Sequence, residues 1–544
     1  MKIFALLTVA ILVLGPIRSE ACTLMAAGKK ATKDGSVMVS HTDTGPDSRI
    51  YRVPARRFKP GSKAPVYLDI QDASRPLLDD GRVIGYIPQV ERTFAYFHSA
   101  YSHINEHQLA IGESTTSQRN ELTVTHETGN QIMTIEQAMI FALQRFKRAR
   151  PATEFIGELC TTYGFLPSSG DGAEALIIAD PEEAWVFEVF SVGPGWTRES
   201  GKPGAIWAAQ RLPDDHAVMI PNWSTIKEID PKDTAHFMAS ANYMQVAVER
   251  GWYDPESGKP FVWQEAYAPP PLEWATSRYW SFFLAFAPNA LELPDRHLQS
   301  DPHKGLDQYH QVVEPLSFYP FSVKPEKKLT PGDFMAFQRS VHEGSIYDMS
   351  EDPAWYVLDG KGGLKKSPLA TPFPGNDLRR LLRITNRRPV ARHRGHYGMI
   401  AQLRSWLPAV VGGIYYVFLD NPYFSPYVPI YAGNLSVDTT YKIYNPDMYS
   451  ENSARWAIDF VDNLARFRFQ DAVKDVRARR DPFEDKMFRD MARLEKHAIE
   501  VYKKNPRKAQ KLLTDFSNGL MRDVTRMYHE LRDELIVKYT NNRE

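Results

Sequence analysis

Two cysteines in 544 residues, Cys22 and Cys160, are all the thiol chemistry this chain has. A disulfide-stapled scaffold is therefore excluded, and the core must come from apolar side chains. These are plentiful, at 43% hydrophobic and 12% aromatic residues. Net charge is missing too, with 66 Lys and Arg against 66 Asp and Glu. Whole-chain electrostatics thus gives no reason to expect nucleic acid or an anionic membrane as partner. No nucleic-acid motif, internal repeat or low-complexity tract occurs. The pairs His126-Glu127 and His342-Glu343 each lack the second His of a zinc helix. The "HRGHYG" stretch, residues 393–398, has no companion carboxylate pattern. "SSGDG", residues 168–172, lacks the Lys-Ser/Thr that completes a phosphate loop. No metal and no cofactor are expected.

Long apolar runs are absent everywhere except at the start. Lys2 precedes "IFALLTVAILVLG", residues 3–15, and Ser19 and Ala21 put small residues before a cut after Ala21. This reads as a secretory signal peptide over residues 1–21. The run is short of the ~20 residues of a comfortable span, although an uncleaved anchor is the other reading. Export to the periplasm or the medium is the expectation, with no transmembrane span after processing.

Cleavage there makes Cys22 the first residue, carrying a thiol and a free α-amine together. Their reference pKa values, about 8.5 and about 7.7–8.0, are close enough for the amine to accept the thiol proton near neutrality. A nucleophile then carries its own general base. Two other readings of Cys22 stand beside this: an acylated lipoprotein cysteine, poorly matched by Ser19 and Glu20, and a cysteine that merely opens a strand. From Cys22 the chain runs through "CTLMAA", a Gly-bounded polar loop "GKKATKDG", and "SVMVSHTD". Two β-prone runs about such a loop predict a β-hairpin. Cys22 starts its first strand, and His41 and Asp43 close the second, back at the level of Cys22. Asp43 is placed to orient the α-amine. Cys160, in the helical-looking "EFIGELCTTYGF", is expected to be a buried, inert thiol.

These residues resemble the opening of the N-terminal nucleophile hydrolases, and more narrowly the cysteine dipeptidases related to dipeptidase A and the secernins. The matching pieces are Cys22-Thr23, Gly28-Lys29-Lys30-Ala31-Thr32 and Asp34-Gly35-Ser36. Later segments keep the family order: "LAIGESTT", "IADPEEAWVFEV", "AAQRLPDDHAVMIPNWSTI", "ATSRYW", "HEGSIYDM", "LRSWLPAVVGGIYY" and "PYFSPYVPIYAG". Coverage is roughly from residue 22 to 470. The resemblance implies peptide-bond hydrolysis by Cys22 through an acyl-enzyme, on short peptides. An amidase or acylase acting on other amides shares the chemistry, and a secernin-like protein with little peptidase activity shares the fold.

By the same resemblance Asn222, in "IPNWS", is the candidate oxyanion donor, and Arg278, in "TSRYW", matches a supporting Arg. A turn Asn and an ion-paired Arg are the alternatives. Backbone amides around Gly112 to Ser114 are candidates for a second donor, and Glu113 for gripping a substrate α-ammonium. His41 stands where many relatives carry Arg, so an Arg role is not carried over; His41 is kept as a substrate-binding candidate.

Short alternating runs to about residue 445 suit layered sheets, and "MTIEQAMIFALQRFKRA" has helical spacing. After residue 450 the apolar positions step by three or four, with a break at Asn505-Pro506. These helices are expected to pack on the core; a homo-oligomer face is their other reading. Periodicity alone gives an α+β fold. The resemblance sharpens it to a four-layer αββα sandwich of residues 22–450 with a helical extension, 451–544.

Overall fold

A computed structural model describes residues 22–167, 172–297, 314–393 and 395–540. The leader expected over 1–21 and most of the "SSGDG" loop lie outside the described residues.

Two large antiparallel sheets dominate a mixed helix-and-sheet chain. The six-stranded sheet runs Ala217–Ile220, Leu24–Ala27, Val37–Asp43, Tyr397–Leu403, Ile414–Leu419, Val428–Tyr431 from edge to edge. The eight-stranded sheet runs Phe237–Ala239, Ile206–Arg211, Ala184–Phe190, Ala173–Ala179, Ala110–Thr116, Ser102–Asn105, Tyr96–His98, Tyr51–Val53. The expected hairpin is present, pairing Met25 with Ser40, Ala26 with Val39 and Ala27 with Met38. All seven residues of Val37–Asp43 are buried, as are all seven of Ala173–Ala179 and of Ala184–Phe190. A strand buried on both faces has no solvent side, so hydrophobic alternation is lost.

The sheets meet face to face where Val37–Asp43 crosses Ala110–Thr116 and Ala173–Ala179. Gly112 sits at this crossing: a Cβ there would come within 2.9 Å of Leu24 Cδ2 and 3.0 Å of the Ser40 carbonyl oxygen. Only a missing side chain lets the two backbones come so near.

Helices Ile135–Arg145 and Ala149–Tyr163 pack on the eight-stranded sheet. Thr134 caps the first by accepting from the Gln137 amide. Cys160 lies in the second, fully buried, and both cysteines are free thiols. Against the six-stranded sheet lie Pro331–Gln338, Ala454–Ala465 and Pro506–Tyr539. Thr330 and Asp333 form a reciprocal capping box ahead of Pro331. The long helix Phe469–Lys504 ends at Asn505, whose side chain caps Pro506–Tyr539 by accepting from Lys508 N. Two partly buried ion pairs fasten this helical region to the rest of the molecule: Arg339, at the end of Pro331–Gln338, with Glu484 at 2.6 Å, and Arg404, just after strand Tyr397–Leu403, with Glu495 at 2.7 Å. No described helix is long and apolar enough to cross a membrane.

Candidate active site

The hairpin register, continued outward from Met25–Ser40, sets Cys22 opposite Asp43. Side chains bear this out, with Cys22 Sγ 3.6 Å from Asp43 Oδ1. Glu113, from the facing sheet, brings Oε2 to 3.8 Å from the same sulfur. Cys22 is 4% exposed. Burial and the charges of Glu113, Asp43 and Glu174 hold its thiol well above the ordinary range, while the Thr115 amide pulls the other way.

The acids around the sulfur also pay for burial. Asp43 is pushed up to about 6 by desolvation, against the backbone amides of Gly45 and Thr44 and the Cys22 thiol. Glu113 is pushed up to about 8, again chiefly by desolvation, with Asp43 and Glu136 adding repulsion and Glu174 opposing it. Glu174 lies on the neighbouring strand opposite Thr115, and burial with Glu113 beside it raises it strongly. Burial thus favours the neutral forms of both acids. Gly45 closes the cluster. A Cβ there would stand 2.3 Å from Asp43 Oδ2 and 3.0 Å from Ala100 Cβ.

His41 is wholly buried, and its pKa is driven far down by burial and by His103 nearby. It is therefore a neutral imidazole. Its Nδ1 lies 2.8 Å from the Glu113 carbonyl oxygen, which can only accept, so the proton sits on Nδ1. Nε2 is left as a buried acceptor. The ring packs on His103 at 4.7 Å, Tyr101 at 5.6 Å and Tyr397 at 5.7 Å. The Tyr397 hydroxyl joins His103 Nε2 at 3.0 Å and accepts from the Tyr101 amide. An Arg at position 41 would need carboxylate or carbonyl partners where this chain supplies rings.

Strand Ala110–Thr116 explains how one element serves so many partners. It pairs along its whole length with Ala173–Ala179, but with Ser102–Asn105 only at Ala110. Beyond that point its other edge pairs with no strand among the described residues. Backbone groups of Ile111, Glu113 and Thr115 on this edge meet His103, His41, Cys22 and Asn222. Successive amides on a strand point to opposite sides. The amides of Gly112 and Ser114 therefore face the ladder with Ala173–Ala179, and the Thr115 amide is the one beside the sulfur.

Asn222 follows strand Ala217–Ile220 with φ of +59°, a left-handed conformation that Asn tolerates better than most residues. Its Nδ2 donates to the Thr115 carbonyl at 2.9 Å. Arg278, in helix Glu273–Phe286, is fully buried and gathers the neighbourhood. Its Nη1 donates to the Cys22 carbonyl at 2.6 Å, to Thr23 Oγ1 at 2.9 Å and to Asn222 Oδ1 at 3.2 Å; Nη2 donates to the Pro221 carbonyl at 2.6 Å. Such a fork suits Arg and not Lys.

The segment after Asn222 is tied down by a residue sequence reasoning passed over. Glu188, buried in the strand Ala184–Phe190, accepts from Ser224 Oγ at 2.5 Å and Trp263 Nε1 at 2.8 Å on one oxygen. The other oxygen accepts from Thr225 N at 2.6 Å, Thr225 Oγ1 at 3.1 Å and Ile226 N at 3.2 Å. Glu174 was missed likewise. The available signal was a single acid inside an apolar strand, "AEALIIA" and "AWVFEVF". The structure thus brings Cys22, His41, Asp43, Glu113, Asn222 and Arg278 into one cluster. Among the described residues no group of His, Cys, Asp and Glu forms a metal site.

The cluster thus joins a buried thiol, carboxyls, an Asn side chain and the Thr115 amide. The pattern of Peptidase family C69 matches residues 21–481, and the chain belongs to that family. It is a cysteine-type peptidase, a hydrolase of peptide bonds. "Probable dipeptidase B" of Streptococcus pyogenes serotype M1 is 24% identical over 501 residues, covering 91% of this chain and 86% of that protein. "Probable dipeptidase" of Salmonella dublin is 23% identical over 440 residues, 78% and 84% of the two chains. "Probable dipeptidase" of Latilactobacillus sakei is 23% identical over 450 residues, 81% and 80%.

Proposed function

We propose that this chain is an exported dipeptidase of the N-terminal nucleophile type, with Cys22 as the nucleophile once the leader is removed. The observation that carries this reading is Cys22 opposite Asp43 with Glu113 at 3.8 Å. In the unprocessed chain Cys22 nitrogen is an uncharged amide, and burial, with the nearby acids, holds the thiol protonated. Removal of the leader turns that nitrogen into an amine. Its ammonium form offsets the acids, and its neutral form takes the thiol proton.

The thiolate then attacks the peptide carbonyl carbon. The tetrahedral oxyanion is met by the second hydrogen of Asn222 Nδ2 and by the Thr115 amide. Collapse breaks the C–N bond, and the α-ammonium of Cys22 gives its proton to the departing amine. Water, deprotonated by the same amine, hydrolyses the thioester. Arg278 holds the Cys22 carbonyl and Asn222 in place. In its ionised form Glu113 binds the substrate α-ammonium, helped by the acceptor Nε2 of His41, which favours short peptides with free amino ends over acylated amides. The two facing sheets with helices outside them support reading the chain as an αββα sandwich of the N-terminal nucleophile type, with residues 22–450 as the hydrolase domain and 451–544 as its extension.

The test compares three proteins on a panel of dipeptides and acyl-amides: processed chain, a chain keeping one extra residue before Cys22, and Cys22→Ala. Only the processed form should hydrolyse dipeptides. Equal activity in the extended form would sink the mechanism, and an acyl mass on the mature N-terminus would replace it with a lipid anchor.

A further inference from the structure

Whole-chain charge balance conceals one uneven region. Between residues 356 and 388 stand eight Lys and Arg against two Asp. This stretch belongs to a small lobe with its own apolar core of Met349, Trp355, Ala370 and Ile384, on which Tyr356 and Leu382 pack. The lobe presents the hairpin Tyr356–Leu358 and Leu364–Lys366 and the short helix Asn376–Leu381.

The lobe also leaves apolar surface in water. Leu381 is 80% exposed, Leu358 71% and Leu364 54%. Leu358 and Leu364 are directly paired across the hairpin, so they share one face at its tip. The tip stands clear of the rest of the molecule: a Cβ at Gly360 or Gly362 would meet nothing within 4 Å. Lys361 and Lys365 on the hairpin, and Arg380 and Arg383 at the end of the short helix and just after it, are all exposed. Of the other cations, Lys366 pairs with Glu351 and Arg387 with Glu273. Asp359 is used by the turn, accepting from the amides of Lys361 and Gly363.

A projecting apolar hairpin tip with Lys361 and Lys365 beside its leucines is the wrong shape for a groove that receives another protein, which needs a broad complementary surface. It suits a soft anionic layer, into which leucines insert while cations meet phosphates. We propose that this lobe docks the protein on an anionic lipid surface, with Leu358, Leu364 and Leu381 entering the headgroup layer and Lys361, Lys365, Arg380 and Arg383 bound to phosphates. Docking is independent of the hydrolytic chemistry, since none of these side chains belongs to the Cys22 cluster.

The experiment is co-sedimentation of the full processed chain with phosphatidylcholine vesicles, with and without phosphatidylglycerol, at low and high salt. Binding is expected only with phosphatidylglycerol and should weaken with salt. Lys361→Glu with Lys365→Glu should lower the partition coefficient by about 25-fold or more, about fivefold per cation. Leu358→Ser with Leu364→Ser should abolish binding, and both pairs should keep the parent's melting temperature and dipeptide hydrolysis. The proposal is overturned if the parent stays in the supernatant, if both pairs bind as the parent does, or if sedimentation velocity shows a dimer that the leucine pair dissolves.

Discussion

Asp43 and Glu113 keep their protons in a pH range where most carboxyl groups have lost theirs. For Glu113 the folded value of about 8 lies above the ordinary 4.5, so the folded chain binds more protons than the unfolded one between those limits. Stability then falls as pH rises through this window, the reverse of a salt-bridged acid. In Cys22→Ala, where turnover cannot interfere, Glu113→Gln should flatten the fall in melting temperature between about pH 4.5 and 8; an unchanged slope would show Glu113 already ionised. Gly45 makes a second prediction at this scale. Gly45→Ala pushes a methyl into Asp43 Oδ2 and displaces it from Cys22, so kcat/KM should fall about 100-fold on ångström-scale misplacement. Steady-state kinetics on a dipeptide, with circular dichroism to verify folding, checks this.

At the scale of elements, the site is a hairpin, a half-paired strand and a strapped loop. The hairpin was legible because its information is local: apolar runs, a Gly-bounded turn, and a register that carries Asp43 back to Cys22. The helix break at Asn505-Pro506 was legible for the same reason. His41 was legible as a departure from Arg but not as a stacked neutral ring, because Tyr397 lies over 350 residues away in sequence and meets it only through sheet pairing with Asp43. The loop after Pro221 depends on Glu188, whose five acceptor contacts no pattern of spacing reveals. Glu188→Gln turns one acceptor into a donor facing donors. We expect a kcat loss of about tenfold or more with KM little changed, because Asn222 acts after substrate is bound. Loss of stability alone, with kcat intact, would leave Glu188 with no part in placing Asn222.

For the whole molecule, the C-terminal helices close an exposed edge. Strand Val428–Tyr431 ends the six-stranded sheet, and helix Pro506–Tyr539 lies along it. An uncovered edge invites pairing with another chain. A chain ending at residue 450 should therefore collect in the insoluble fraction, whereas the full chain stays in solution. Glu495→Ala probes the same attachment more gently. It leaves Arg404 buried without its carboxylate, at a cost of about 3–5 kcal/mol in chemical denaturation. A cost near zero would mean that water reaches Arg404 and the helices rest loosely on the sheet.

Strand Ala110–Thr116 holds much of the site through its main chain, and this bears on how the family diverges. Carbonyls and amides at positions 111, 113 and 115 are the same whatever side chain they carry. Selection cannot see a substitution there through those contacts, except proline, which deletes the amide. Side-chain replacement at Thr115 should therefore leave these main-chain contacts in place, yet proline there should be as damaging as the loss of Asn222.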